Sequence, residues 1–214
     1  MLKTKWLGIA VSAGCLFSGS AMAELTGNIG VSNNYIWRGI TQSADESAVS
    51  GGIDFKHKSG LYAGTWFSNM ANNSYEHDLY AGFAGKQGEI AYDAGLIMYT
   101  YPVDNNVDFT ELYASLDIKN FNFGLAFTID SDAGGADSDF YMSASGDYEV
   151  KKGLVLDALI GNYQFDSPAN EDYMHLRVGL SKDDITFAIE KNDRTGPDED
   201  DMRLTVSWSK EIAL

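Results

Sequence analysis

The chain has 214 residues, enough for one ordinary domain, and its 31 acidic against 15 basic side chains give a formal net charge of −16. A protein this acidic repels phosphate backbones and anionic lipid surfaces, which argues against nucleic-acid binding and electrostatic membrane attachment. Its 22 Gly, 12 Tyr, 11 Phe and 4 Trp occur with 3 Pro, a composition typical of proteins built from many strands. The single cysteine, Cys15, cannot form an intrachain disulfide.

Residues 1–23 are predicted to be a secretory signal peptide. Lys3 and Lys5 form a basic start, and residues 6–17 form an apolar stretch too short to cross a bilayer as a helix. Residues 21–23 (AMA) fit a small–x–small cleavage site, so the mature domain is expected to be residues 24–214. An uncleaved anchor and a lipoprotein site at Cys15 remain alternatives.

After this segment, apolar and polar residues alternate in twelve segments of about 9–14 residues, the length of a tilted membrane strand. The first segment is predicted over residues 25–40, and its apolar face consists of Ile29, Val31, Tyr35 and Trp37. The second covers residues 47–58, and the third covers residues 61–69 with apolar residues on both faces, which leaves its orientation open.

The nine later segments each have one apolar face free of Asp, Glu, Lys and Arg. A lipid-facing Arg or Lys costs about 2–4 kcal/mol at the membrane midplane, so this absence favours lipid contact. In chain order the faces are Leu79, Ala81 and Phe83; Ile90, Tyr92, Ala94, Leu96 and Met98; Leu112, Ala114, Leu116 and Ile118; Phe121, Phe123, Leu125, Phe127 and Ile129; Phe140, Met142 and Ala144; Leu154, Leu156, Ala158 and Ile160; Met174, Leu176, Val178 and Leu180; Ile185, Phe187 and Ile189; Met202, Leu204, Val206 and Trp208.

The connections alternate between short turns that contain Lys and longer acidic loops. Short turns are predicted near residues 58–60, 85–88, 119–120, 151–153 and 182–184, and long loops near 41–47, 70–76, 101–108, 130–138, 165–172 and 191–201. The pattern predicts an all-β, transmembrane, antiparallel up-and-down barrel of about twelve strands in the outer membrane of a Gram-negative bacterium. The short turns would be periplasmic and the long loops extracellular. A soluble β-barrel or sandwich is the alternative.

The polar faces of this barrel would line its lumen. The predicted pore-lining residues are Arg38, Asp54, Asp93, Glu111, Asp117, Asp157, His175, Arg177, Glu190 and Arg203. Counting residues outward from the centre of each predicted loop identifies cross-strand partners. It pairs Arg38 with Asp54, Asp157 with Arg177, and Glu190 with Arg203. Such pairs could stabilise a narrow barrel or could select permeating solutes. The excess of acid predicts a preference for cations.

Three other functions can be weighed from the residues. A lipid-modifying enzyme would need a nucleophile and a base; His175 is the only histidine predicted in the lumen, and no G-x-S-x-G motif is present. A closed barrel could act as a receptor or adhesin through its loops. The acidic loop with Asp130, Asp132, Asp137 and Asp139 could bind Ca²⁺, although it lacks an EF-hand pattern.

Four aromatic residues on the strands are predicted to lie at the membrane interface: Tyr35, Trp37, Tyr99 and Trp208.

Two stretches resemble the opening signatures of the TorF-type porin family of proteobacteria: residues 32–43 (SNNYIWRGITQS) and 60–69 (GLYAGTWFSN). Shorter strings at 92–95 (YDAG), 99–102 (YTYP) and 110–113 (TELY) fit the same family, and the resemblance is densest over residues 30–115. It implies an exported outer-membrane barrel, named a porin by analogy, without catalytic residues.

The expected function is therefore a passive diffusion channel for small polar, preferentially cationic, solutes. Its expected partners are outer-membrane lipids, the barrel assembly machinery, periplasmic chaperones and the solutes themselves. No cofactor, metal centre or nucleic-acid partner is expected.

Overall fold

The computed structural model describes residues 24–134, 136–196 and 201–214, and the predicted signal peptide lies outside these residues. No helix within those ranges is long and apolar enough to cross a membrane. Twelve strands in the described ranges form one closed barrel. They are β1 (Glu24–Ser32), β4 (Ala48–Lys56), β5 (Leu61–Asn69), β6 (Tyr75–Gln87), β7 (Ile90–Thr100), β8 (Phe109–Ile118), β9 (Phe121–Ser131), β10 (Phe140–Lys151), β11 (Leu154–Gln164), β12 (Tyr173–Lys182), β13 (Ile185–Asn192) and β14 (Arg203–Ala213).

The barrel closes because the first and last strands pair with each other. Ile29 of β1 lies opposite Gly51 of β4 on one side and opposite Lys210 of β14 on the other. Every strand in this ring is antiparallel to both neighbours, so the backbone donors and acceptors along the ring bond within the sheet. The predicted twelve-stranded up-and-down barrel is confirmed.

The side-chain alternation separates an apolar outer surface from a polar inner one. Outward residues such as Phe123, Leu125 and Phe127 are 49%, 51% and 42% exposed. The third predicted segment, which is β5, now has an orientation: Leu61 and Phe67 point outward, whereas Tyr62 and Trp66 point inward. An apolar band around a closed barrel matches the hydrocarbon of a bilayer.

The loop lengths also follow the prediction. The described strands are joined at one end of the barrel by short turns at residues 57–60, 88–89, 119–120, 152–153 and 183–184. The opposite end carries longer connections, which include residues 101–108 and 165–172. One of them contains a single 3₁₀ turn, Ala71–Asn73.

The first predicted segment is wrong in its second half. Strand β1 ends at Ser32 instead of continuing to Ile40. Residues 33–47, named here the inner hairpin, turn into the barrel and contain the short strands β2 (Ile36–Trp37) and β3 (Ile40–Thr41). The chain reverses at Arg38 and Gly39, whose φ angles of 49° and 81° lie in the left-handed region.

A lipid-facing charge tests the assignment of the outer surface. We expect Leu125→Arg, near the middle of β9, to lower the free energy of unfolding in lipid vesicles by about 2–4 kcal/mol, because the guanidinium must leave water. Glu89→Arg, in an exposed turn, is the matched control and should change stability little. Equal effects of the two substitutions, measured by urea titration, would contradict the assignment.

Candidate functional site: the lumen and its inner hairpin

The inner hairpin spans the lumen from one wall to the other. At one side, the Tyr35 hydroxyl donates to Glu76 Oε1 of β6 at 2.7 Å, and the Tyr35 ring packs edge-on against Trp66 of β5. At the far side, Asn192 Nδ2 of β13 donates to the carbonyl oxygen of Gly39 at 2.8 Å. Strands β6 and β13 lie nearly opposite in the strand order, so the hairpin crosses the barrel.

The tip of the hairpin is fixed by Arg38. Its two terminal nitrogens donate to the two carboxylate oxygens of Glu111 at 2.8 and 2.7 Å. The guanidinium carbon also lies 4.2 Å from the ring centre of Tyr141 and 5.2 Å from that of Tyr163. A bidentate pair with aromatic stacking is a geometry that Arg provides and Lys does not.

The surroundings of Arg38 favour its charged form. Burial lowers the pKa of the Arg38 guanidinium, but the charge of Glu111, the hydrogen bonds to it and the neighbouring Tyr99 and Tyr163 together outweigh burial, so the net pKa is raised. The register between β8 and β9 shifts between Thr110 and Glu111, a bulge at the point where Glu111 reaches the hairpin.

The predicted pairing of Arg38 with Asp54 is wrong. The chain leaves the β1 ladder at Ser32, before Arg38, and Arg38 pairs with Glu111 instead.

Aromatic side chains of the barrel wall pack around Trp37 of the hairpin. The Trp37 ring lies 5.9 Å from Tyr99, 6.1 Å from Phe109 and 5.9 Å from Tyr163 between ring centres, each pair edge-on. The prediction that Tyr35, Trp37 and Tyr99 sit at the membrane interface is wrong, because Tyr35 and Tyr99 are buried and Trp37 packs inside the barrel. Trp208 is exposed on the outside, where interface contact stays a prediction.

The base of the hairpin is tied together by its own polar side chains. Asn34 donates to Asp45 Oδ1 at 2.6 Å and accepts from the Thr41 hydroxyl at 2.7 Å. Arg203 of β14 donates from Nε to the same Asp45 oxygen at 2.8 Å. Arg203 lies opposite Glu190 in the ladder, as the predicted pairing requires, but that pairing does not predict its contact with the hairpin.

His175 is a packing residue at the tip of the hairpin. Its Nε2 is hydrogen-bonded to the Tyr141 hydroxyl at 2.9 Å. A Cβ on Gly39 would lie 2.5 Å from the Cβ of His175, so only glycine fits this close approach. These contacts explain why a histidine lies in the lumen without assigning it a catalytic role.

Closer to the short-turn end, three of the predicted carboxylates are held by neutral donors. Asp54 accepts from the Tyr80 hydroxyl at 2.5 Å and from Asn28 Nδ2 at 3.2 Å. Asp93 accepts from the Tyr62 hydroxyl at 2.5 Å, and Tyr62 also bonds to the hydroxyl of Tyr113. Asp117 accepts from Asn122 Nδ2 at 2.9 Å. Hydroxyls and amides do not neutralise these carboxylates, so this part of the wall is negative when they are ionised.

The remaining predicted residues form an ionic triad on another part of the wall. Arg177 donates to Asp157, which confirms that predicted pair, and its Nε lies 3.6 Å from Glu190 Oε1. All three residues project inward from neighbouring strands β11, β12 and β13. Removing one member would leave a buried charge uncompensated and destabilise the barrel. This fits the stabilising role predicted for such pairs.

Within the ranges described, the long acidic loops do not bring metal-binding side chains together. No group of three or more His, Cys, Asp or Glu side chains is placed there to hold a metal ion. Asp139, one of the four aspartates considered for Ca²⁺, accepts instead from the Asp166 backbone N–H at 2.8 Å.

The docking of the hairpin can be tested at Glu111. We expect Glu111→Gln to weaken a charge-assisted pair by about 1.5–3 kcal/mol and so to increase the undocked population at least tenfold. Trypsin can cleave after Arg38 only when Arg38 has left its contacts with Glu111 and the neighbouring rings. Cleavage after Arg38 in the folded barrel should therefore be at least tenfold faster, as measured by mass spectrometry. Glu190→Gln, which removes a carboxylate from the other ionic cluster, is the control. Equal cleavage rates in wild type and Glu111→Gln would contradict the docked arrangement.

The fold is similar to that of solved outer-membrane porins. The structure described as KdgM porin in complex with disordered oligogalacturonate superposes with a TM-score of 0.55 at 8% identity, over 90% of this chain and 99% of KdgM. The outer membrane protein Omp33 of Acinetobacter baumannii gives a TM-score of 0.57 at 6% identity, over 91% of this chain and 100% of Omp33. At this identity the likeness establishes the fold alone.

No curated protein matches the sequence. A family model described as "Bacterial protein of unknown function (Gcw_chp)" matches residues 18–199, which include the barrel from β1 to β13 and the inner hairpin. The chain therefore belongs to the Gcw_chp family of bacterial proteins.

Proposed function

We propose that this protein is an outer-membrane porin, a narrow passive channel for small polar solutes with a preference for cations. The observation that carries the proposal is a closed barrel with an apolar outer surface and a charged inner one. Charged side chains inside a barrel do not form a hydrophobic core. They do provide the polar lining that a path for polar solutes requires.

The inner hairpin sets the width of the proposed path. It occupies the long-loop half of the lumen, the half we propose to be extracellular, where Glu111 and His175 are 1% and 4% exposed. Nearer the short-turn end, Asp54, Asp117 and Asp147 are partly exposed to the lumen. Solutes would therefore meet the narrowest passage beside the hairpin and a wider, wetter region below it.

The balance of charge supports a cation preference. Six of the ten predicted pore-lining residues are carboxylates and three are arginines: Asp54, Asp93, Glu111, Asp117, Asp157 and Glu190 against Arg38, Arg177 and Arg203. The arginines contact Glu111, Asp157, Glu190 and Asp45, and Lys56 acts electrostatically on Asp93, which leaves Asp54 and Asp117 without a cationic partner among the described contacts. KdgM is described with an oligogalacturonate, and an acidic lumen argues against transferring that anionic ligand to this chain.

The cellular setting follows from the same proposal. The resemblance of residues 32–43 and 60–69 to the TorF-type porins supports a Gram-negative outer membrane. The chain would be exported by the predicted signal peptide at residues 1–23, escorted by periplasmic chaperones and inserted among outer-membrane lipids by the barrel assembly machinery.

The second candidate is a closed barrel that acts as a receptor through its loops. The observation that favours it is the hairpin itself, since Arg38, Trp37 and Gly39 contact five different strands across the lumen. The two functions differ in one property, which is whether the folded protein conducts ions.

Ion conductance in planar bilayers under a KCl gradient tests the porin proposal. We expect discrete conductance steps with a reversal potential on the cation-selective side. The double substitution Asp54→Asn and Asp117→Asn should move the reversal potential towards zero, because both carboxylates face the lumen without a cationic partner.

Two controls make this experiment decisive. Asp184→Asn, whose partner Lys210 points to the outside of the barrel, should leave selectivity unchanged. Heat-modifiable migration on a gel must first show that each sample is folded. A folded protein that does not conduct would contradict the porin proposal and favour the closed barrel.

A further inference from the structure

One buried carboxylate in the lumen has no partner. Asp78 of β6 is 0% exposed, and neither of its carboxylate oxygens forms a hydrogen bond with the described residues. A buried ionised carboxylate without a partner is strongly unfavourable, so Asp78 requires a compensating proton, water or cation. Asp54, Asp93 and Asp117 differ, because each of them accepts from a neighbouring side chain.

A second carboxylate lies beside it. Glu76 precedes Asp78 by two positions on the same strand, so both side chains point into the lumen, and Glu76 is 2% exposed. The two carboxylates are close enough to repel each other electrostatically. Glu76 accepts from the hydroxyl of Tyr35, which is a neutral donor. The guanidinium of Arg38 is already bound by Glu111 and does not compensate this pair.

The surroundings match a small monovalent cation better than a divalent one. Only two carboxylates meet here, and the described residues hold no group of three metal-type ligands. Aromatic side chains complete the wall: Tyr35 from the hairpin packs edge-on against Trp66, and Tyr99 and Tyr101 are within electrostatic reach of both carboxylates. Aromatic faces and phenolic oxygens attract monovalent cations without the rigid coordination that Mg²⁺ demands.

We propose that Asp78 and Glu76 hold a small monovalent cation, an alkali metal ion or ammonium, at the wall beside the inner hairpin. In the channel proposed above, on which this inference rests, the site is a resting point for a cation at the narrowest level of the lumen. Because Tyr35 of the hairpin donates to Glu76, a bound cation also stabilises the docked hairpin.

Thermal unfolding of the purified protein in detergent tests the site without requiring conduction. The Tm is measured in KCl and in choline chloride at equal ionic strength, since choline is too large to reach carboxylates that are 0% and 2% exposed. A cation that binds only the folded state should raise the Tm in KCl by about 3 °C at a concentration about ten times its Kd.

Two variants make the test specific. Asp78→Asn keeps the shape of the side chain but removes its charge, so the difference between the two salts should disappear, and the Tm in choline chloride should exceed that of the wild type. Asp54→Asn neutralises a lumen carboxylate that already has two donors, and it should keep the difference between the salts. If Asp78→Asn does not fold, Glu76→Gln replaces it with the same expected loss of the difference.

The outcomes separate this inference from the porin proposal. Equal Tm values in KCl and choline chloride for the wild type, or an undiminished difference in Asp78→Asn, would overturn the cation site whether or not the protein conducts. A K⁺-dependent Tm that disappears in Asp78→Asn would support the site even in a barrel that shows no conductance.

Discussion

The pairing of β1 with β14 is the constraint on which the rest of the structure depends. A strand next to hydrocarbon cannot leave its backbone donors and acceptors unpaired, so the sheet must close. Closure pairs every strand along both edges and assigns alternate side chains to lipid and lumen. It also encloses a space that twelve strands make too wide for their own wall side chains to fill and narrow enough for one hairpin to span.

The inner hairpin fills that space and does so with a polar interface. Arg38, Glu111 and Asn192 hold it through hydrogen bonds, while Trp37 and Tyr35 supply its packing. A hairpin held mainly by an apolar face would resemble a permanent core. This hairpin is held instead by an ion pair, an amide and aromatic edges, which suits a constriction in the polar channel proposed above.

Most of the fold can be predicted from the sequence, because a barrel between lipid and water imposes a period of two on every strand. Leu125 and Asn122, for instance, are assigned to opposite surfaces by parity alone. The pair Asp157–Arg177 could also be predicted, since register follows from a hairpin loop whose centre is visible in the sequence. The orientation of β5 could not, because Trp66 and Phe67 are both apolar and only the contact with Tyr35 distinguishes them.

The sequence pattern does not predict the inner hairpin, because residues 33–40 continue the period of two. Tyr35 and Trp37 look like the outer face of a strand, yet they face the lumen because the chain has already left the ladder at Ser32. A signal was available: a segment over residues 25–40 is longer than the other strands, and the Arg-Gly pair at 38–39 can reverse the chain. The Arg38–Glu111 pair joins residues that are 73 positions apart, and no local pattern predicts such a contact.

The most direct test of the account removes the inner hairpin and measures what it obstructs. Ser32 and Ala48 already lie opposite each other, so residues 34–47 can be replaced by a short glycine-containing turn without changing the barrel ladder. Single-channel conductance of the shortened protein, shown to be folded by its heat-modifiable migration, should be severalfold larger than that of the wild type. Equal conductance in the two proteins would contradict the claim that this hairpin constricts the lumen.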